Sequence, residues 1–211
     1  MPHVTLYIRV PVVVEAVTGT RMYSSLQATI TIIRRNFMIT LDTLKQRNHD
    51  FAAHQFTASM SLFPAFKPII VSCVDPRADP AHILGLEFGD ALVIRNIGGR
   101  FTPETRQAIT LLQNVAQVQG ATPGKGNLII IHHTDCGITR LAGKPDLLAD
   151  YFDIDKAELG AKAVTDPRTA VAIDVAAFKT NPLPGEWAVS GLVYDVTTGL
   201  IEVVVAPDPL Q

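Results

Sequence analysis

Two short stretches carry side chains able to do chemistry. Ser72-Cys73-Val74-Asp75-Pro76-Arg77 offers a thiol, a carboxylate and a guanidinium close together, and His132-His133-Thr134-Asp135-Cys136-Gly137 offers an imidazole and a second thiol three positions apart. Cys73, His133 and Cys136 make up the three-protein-ligand set of catalytic zinc sites, which keep a fourth position for water. They include both cysteines of the chain, so neither thiol is committed elsewhere. Two other readings compete. A Cys73–Cys136 disulfide would leave His133 and Asp75 without a role, and a closed structural zinc site would take Asp75 as its permanent fourth ligand. With no disulfide framework, a reducing compartment is expected.

The chemistry follows from the residue types. Zinc lowers the pKa of bound water toward neutrality, so a hydroxide nucleophile exists without a strong base. Two thiolates neutralise the ion's formal charge and weaken that effect, so a nearby group must orient the hydroxide. Asp75, two residues after Cys73, is the candidate acceptor. Arg77 can hold its carboxylate through two parallel hydrogen bonds, keeping it ionised and off the metal. If that pair opens, Asp75 can bind zinc and displace the water. A cysteine hydrolase built on Cys136 and a histidine would need a metal-free thiolate and would leave Cys73 idle. Strand alternation turns His132 to the side opposite His133, as a buried, hydrogen-bonded histidine or, second, a proton relay. Asp135 braces the loop.

These stretches need elements to hold them. Each follows an apolar run, Pro68-Ile69-Ile70-Val71 and Leu128-Ile129-Ile130-Ile131, which reads as a buried parallel strand. The ligands then sit at strand ends, where open α/β sheets place their sites. Ala91-Leu92-Val93-Ile94 reads as another buried strand, followed by a loop with Arg95, Asn96, Gly98 and Gly99. Helices are expected from Asp42 to about Ser61, from Asp79-Pro80 to near Gly89, from Thr102 to Gly120, over 146–163 and over 168–179. In the third, Ala108, Leu111, Leu112 and Val115 should form the apolar face that covers the sheet. His49, His54 and His82 lie on helices as packing or solvent-facing residues. Gly120 to Gly126 lacks phosphate-loop spacing and reads as a surface turn. Trp187–Val196 and Leu200–Val205 flank a Thr197-Thr198-Gly199 hairpin signal. The fold class is α/β: a single domain, with a mainly parallel sheet flanked by helices and a C-terminal strand or hairpin extending it.

The Cys-x-Asp-x-Arg and His-x-x-Cys-Gly pair, with Ile94-Arg95-Asn96-Ile97-Gly98-Gly99 between them, resembles the β-class carbonic anhydrases over roughly residues 40 to 205. Pro76 stands where that family commonly has Ser or Ala, and Ile97 where it has Ala. The resemblance implies Zn2+ on Cys73, His133 and Cys136, with Asp75 and Arg77 as catalytic residues and the Gly98–Gly99 loop lining the substrate pocket. It also implies reversible hydration of carbon dioxide to bicarbonate and a proton by zinc-bound hydroxide. The same site suits carbonyl sulfide hydrolysis, the alternative activity. A zinc-stabilised binding module without activity is a third reading, to which Pro76 lends support. The family further implies a homodimer or a dimer of dimers, and an acid-favoured closed state in which Asp75 binds zinc.

The rest of the composition narrows the partners. A 211-residue chain, 47% hydrophobic and 18% charged with net charge −2, describes a soluble globular protein. No basic tract suggests a nucleic-acid partner, and no apolar run approaches the ~20 residues of a bilayer span. Residues 1–40 carry Arg9, Arg21, Arg34 and Arg35 against Glu15 alone, as in an organelle transit peptide, yet Val12-Val13-Val14 and Thr29-Ile30-Thr31-Ile32-Ile33 are β-prone. Met38 is a second possible start. The expected organisation is an extension or arm over 1–40 and a zinc domain over 41–211, cytoplasmic unless the extension directs the chain to mitochondria.

Overall fold

The computed structural model describes residues 6–9, 12–14, 22–24, 27–30, 39–58, 68–120 and 125–208. The chain divides into two compact units, Met1–Ala58 and Ser59–Gln211.

In the first unit β1 (Leu6–Arg9) pairs antiparallel with β4 (Gln27–Ile30), and β2 (Val12–Val14) with β3 (Met22–Ser24). The β-prone Val12-Val13-Val14 run is therefore extended; Thr31 to Ile33 and Met38 lie outside the described residues. Helix α1 (Leu41–His54) starts where the Thr40 hydroxyl accepts the Thr43 amide at 3.2 Å. It stops earlier than the expected Ser61, at a Gln55 cap where the Gln55 and Phe56 amides both donate to the Phe51 carbonyl. None of its residues is buried, although Phe51 and Phe56 meet edge to face.

The second unit is built on a five-stranded sheet in the order β6-β5-β7-β8-β9, comprising β5 (Ile69–Cys73), β6 (Leu92–Asn96), β7 (Lys125–His133), β8 (Glu186–Tyr194) and β9 (Ile201–Val205). All pairings are parallel except that of β8 with β9. Their sequences explain their places. Every residue of β5 is buried, as expected of an apolar run flanked on both sides. Strand β6 departs from the buried strand expected of it. It is a sheet edge, and Val93 is 42% exposed, because residues of one short apolar run can serve an edge as readily as a centre. The β8–β9 turn contains Thr197-Thr198-Gly199 as expected, with Gly199 donating to the Asp195 carbonyl at 2.8 Å.

Three expected helices of this unit are also corrected in extent or facing. After Asp79, α2 spans only Pro80–Ile83. The nearer glycine, Gly85 at φ +62°, takes the cap, with Leu86 N–H donating to the Ala81 carbonyl, so the helix cannot reach Gly89. The long helix expected over 146–163 splits into α4 (Pro145–Phe152) and a 3₁₀ stretch over Lys156–Lys162. Asp153 sits between them at φ +52° and closes α4, while Ile154 N–H reaches back to the Ala149 carbonyl. Helix α3 (Pro103–Val118) has its expected Thr102 cap, but it buries Thr105 and Ile109. Ala108 and Leu112 are half-buried while Leu111, Val115 and Val118 stay exposed, so only part of the apolar face foreseen for this helix turns inward. Of the stretch Gly120 to Gly126 expected as a surface turn, residues 121–124 lie outside the described residues. Helix α5 (Pro167–Thr180) matches its expected span and is capped by the Asp166 carboxylate on Arg168 N–H.

The main core joins Ile69, Val71, Leu128, Ile130, Val189 and Val193 of the sheet to Ile109 of α3 and to Val171, Val175 and Phe178 of α5. A second, smaller cluster gathers Cys73, Ala78, Cys136, Ile138, Leu148 and Phe152 at the carboxyl ends of β5 and β7. Among the described residues no helix is long and apolar enough to cross a membrane.

Candidate metal centre

Parallel pairing of β5 with β7 sets Ser72 opposite Ile131, which brings Cys73 and His133 out at the same end of the sheet. Cys136 follows two turn residues later. Asp135 at φ +50° bends the chain back, a conformation Asp tolerates better than most side chains. The ligand atoms of Cys73, His133 and Cys136 lie within 4.8 Å of one another, all three residues buried, with the two Sγ atoms 3.7 Å apart. That separation is far beyond a disulfide's ~2.05 Å, and both cysteines are free.

The surroundings prepare these atoms for a cation. His133 Nδ1 lies 2.9 Å from the Thr134 carbonyl; it can only donate there, so the proton sits on Nδ1 and Nε2 is left as the ligand atom. Nε2 is buried and has no hydrogen-bond partner. A buried ring nitrogen with a lone pair facing two sulfurs is costly unless something positive completes it. The Cys73 thiol is held well below the usual thiol range by hydrogen bonding with Cys136 and, against the cost of burial, by the nearby His133 ring and hydrogen bonds from the amides of Asp75 and Gly98. Those amides stand 3.4 and 3.3 Å from Cys73 Sγ. Cys136 moves the other way, because it shares its proton with Cys73 and is buried. Burial also opposes charge on His133, but the Cys73 sulfur and the Thr134 carbonyl outweigh it and raise its pKa.

Asp75 stands beside the cluster, its Oδ2 3.9 Å from His133 Nε2. Arg77 holds it bidentately, through Nη2 to Oδ2 at 2.7 Å and Nε to Oδ1 at 3.1 Å, and adds its own N–H to Oδ1 at 2.9 Å. These bonds draw the Asp75 carboxyl down to about 2. Pro76 does not disturb the arrangement. It is the first residue of a 3₁₀ turn over Pro76–Ala78, where a missing N–H costs nothing, and the amide that reaches Asp75 belongs to Arg77. Arg77 is fixed in turn by Asp135 Oδ2 at 2.9 Å and the Asp135 carbonyl at 3.0 Å, and Arg140 reaches Asp135 Oδ1 at 3.0 Å. Asp135 thus braces the loop.

Gly98 and Gly99 have tasks in the backbone. Gly98, at φ +82°, gives its N–H to Cys73 Sγ, and a Cβ there would stand 2.9 Å from Ile138 Cδ1. A Cβ on Gly99 would stand 2.6 Å from the Ile131 carbonyl oxygen. His132 turns away from the ligands and is buried, its Nε2 3.2 Å from Asp174 Oδ2. His49 and His54 lie in the other unit, and His82 is exposed beside Asp79.

Two supports escape a reading of the sequence. Arg95 donates to the carbonyls of Cys73 (2.9 Å) and Asp75 (2.8 Å) and to Asp79 Oδ2 (2.6 Å), clamping the loop that carries the carboxylate. Its place beside Asn96 was visible, but not its reach across to β5. Asp174 is the other, and the available signal was a single carboxylate inside the apolar run Ala170-Val171-Ala172-Ile173-Asp174-Val175.

The family model described as Carbonic anhydrase matches residues 68–160, the span that holds Cys73, His133 and Cys136. The chain is 27% identical over 169 residues to Beta-carbonic anhydrase 1 of Mycobacterium tuberculosis, covering 77% of this chain and 96% of that protein. A shorter likeness, 36% over 87 residues, joins it to the carbon disulfide hydrolase of Saccharolobus solfataricus, with 41% of this chain and 38% of that one covered. Among solved structures, carbonic anhydrase from Streptococcus mutans superposes with a TM-score of 0.58 at 30% identity, over 77% of this chain and 96% of its own. Since likeness in sequence and in fold runs through nearly the whole length of two of these relatives, the chain belongs to the β-class carbonic anhydrase family.

Proposed function

We propose that this protein binds Zn2+ through Cys73, His133 and Cys136 and catalyses the reversible hydration of carbon dioxide. The observation that carries the reading is the convergence of two sulfurs and a proton-free imidazole nitrogen, with Asp75 held to one side by Arg77. Tetrahedral zinc with Zn–S bonds of about 2.3 Å requires sulfurs roughly 3.8 Å apart, and the Sγ atoms stand 3.7 Å apart. Zinc at this position would supply the acidity that makes water a nucleophile near neutral pH.

The chain's own residues do the rest. Asp75, ionised at every pH near neutral, accepts a hydrogen bond from the attacking water and directs its lone pair at the substrate carbon. Arg77 keeps that carboxylate from taking the water's place, and Asp135 and Arg95 hold Arg77 and the loop still. The Gly98 amide steadies Cys73 as a thiolate, and the loop it belongs to forms one wall of the site. The exposed Leu111, Val115 and Val118 on α3 support a homodimer, in keeping with the family.

A second substrate class is supported by the likeness to a carbon disulfide hydrolase: a linear sulfur-containing analogue of carbon dioxide, carbonyl sulfide or carbon disulfide, attacked in the same way. Purified protein of measured zinc content, assayed side by side on carbon dioxide, carbonyl sulfide and carbon disulfide, decides between them. Rapid proton release from carbon dioxide with slow sulfide release supports the first reading. Strong sulfide release with feeble hydration replaces it with the second. Silence on all three substrates in zinc-loaded protein rejects both and leaves a zinc-stabilised binding module.

A further inference from the structure

Next to the ligands lies a polar network that the proposed reaction does not use. Asp174, in the middle of α5, is 2% exposed, Arg100 1% and His132 3%. The Asp174 carboxylate accepts from Arg100 Nε at 2.7 Å, Arg100 Nη2 at 3.0 Å and the Phe101 amide at 3.0 Å, and its Oδ2 is 3.2 Å from His132 Nε2. A cavity of about 10 Å³ is lined by Gly98, Arg100, His132, His133 and Cys136 among others, so the network adjoins the ligands directly.

Three nearly inaccessible ionisable groups are an expensive way to fill a core, since well-packed apolar residues usually do as well or better for stability. Their connections give another reason for them. Arg100 and Phe101 directly follow Gly98 and Gly99, the turn whose amide donates to Cys73 Sγ. His132 directly precedes the ligand His133. One carboxylate therefore faces both: its Oδ2 accepts from Arg100 Nε and the Phe101 amide of the turn behind Cys73, and the same oxygen lies 3.2 Å from Nε2 of His132 on the strand end that presents His133. A plain ion pair between Arg100 and Asp174 would need neither the Phe101 amide nor the histidine.

We propose that Asp174 is a positioning residue for the metal site: from α5 it fixes the Gly98–Phe101 turn and the end of β7 relative to each other, and so sets the spacing of Cys73, Cys136 and His133. The inference rests on the zinc reading. Asp174 acts through neighbours of the ligands rather than on a ligand, so its removal should weaken metal binding by about 10-fold, the lower end of the range for groups bonded directly to metal ligands.

The test compares full-length wild type with three variants. Asp174→Asn keeps the shape and removes the charge. Arg100→Met combined with Asp174→Leu removes the ion pair but fills the space, and so decides the matter if Asp174→Asn does not fold. Val189→Ala, in β8 within the main core, lowers stability from the sheet and not from the Gly98–Phe101 turn. Each is measured for zinc affinity by chelator competition, for the visible spectrum of its Co2+ form and for thermal unfolding without metal. About 10-fold weaker zinc binding with an altered Co2+ spectrum in the Asp174 variants, and neither in Val189→Ala, supports the inference. Wild-type affinity and spectrum in a folded Asp174 variant overturn it, as does an equal loss in Val189→Ala. Wild-type protein that takes up no zinc overturns it together with the zinc reading.

Discussion

Replacing Gly99 by alanine should be among the most damaging single-methyl additions in the chain, and its cost can be worked from the backbone. Gly99 has φ +66°, and an added Cβ would meet the Ile131 carbonyl oxygen at 2.6 Å, Cys73 N at 3.0 Å and Ser72 C at 3.1 Å. All three are main-chain atoms of β5 and β7, both interior to the sheet, so no side chain can swing aside. Reaching ordinary contact at 3.4 Å requires the Ile131 oxygen to retreat by roughly 0.8 Å. The left-handed conformation costs an alanine about 1–2 kcal/mol, and forcing a methyl into packed surroundings about 1–3 kcal/mol more. The sum is a large share of the ~5–15 kcal/mol that holds a typical domain together. Gly85, at φ +62° with nothing within 4 Å of its Cβ position, isolates the first contribution. Urea unfolding of the metal-free variants should therefore show Gly99→Ala losing about 1–3 kcal/mol more than Gly85→Ala. Because the contact falls on the Cys73 amide, zinc affinity should drop in the first and hold in the second. Equal losses of stability in the two variants would refute the reasoning.

Three further outcomes follow from the site and its supports. Cys73→Ser and Cys136→Ser should each lose bound zinc, checked by metal analysis of the purified protein. Asp75→Asn should keep zinc while carbon dioxide hydration falls by about 10²-fold or more, the usual share of a positioned proton acceptor; full activity in a zinc-loaded variant would remove Asp75 from the mechanism. Asp174 titrates below its ordinary value, because His132 and Arg100 outweigh the cost of its burial. The folded state therefore binds fewer protons there than the unfolded one, and the stability contributed is complete above the ordinary aspartate value of about 4 and lost as pH falls toward the folded value. Urea midpoints between pH 3 and 6 should slope upward with pH, and less steeply in Asp174→Asn.

The grouping of Cys73, His133 and Cys136 was legible in the sequence because each part carries a local signal. His133 and Cys136 share one turn, and Cys73 ends an apolar run of the kind that forms an inner strand. The bidentate Asp75–Arg77 pair was legible for the same reason, its two residues being neighbours across a 3₁₀ turn. What escaped was anything decided by partners far along the chain. That β6 is an edge and β5 an interior strand depends on sheet order, which a four-residue apolar run does not encode. The exposed Leu111 and Val115 share a helical periodicity with buried residues, and only the packing of Ile109 shows which side of α3 faces in. Helix ends were misjudged where an unforeseen residue took the left-handed cap: Gly85 before Gly89, and Asp153 where no glycine stands. Arg95 and Asp174 act over 20 and 74 positions respectively, beyond the reach of any spacing rule.

Cys73 and Cys136 lie 63 positions apart in sequence, and parallel pairing of β5 with β7 is what brings them together. No hairpin can nucleate such a pairing, so the chain must close a long loop before the two strands gain anything from each other. During synthesis the first thiol leaves the ribosome well ahead of the histidine and the second thiol. It waits unpaired until β7 has emerged, and β8 must follow before β7 has both of its neighbours. On the proposed zinc reading, metal capture is accordingly a late step in maturation, and the interval before it is when a newly made chain is most open to oxidation at Cys73.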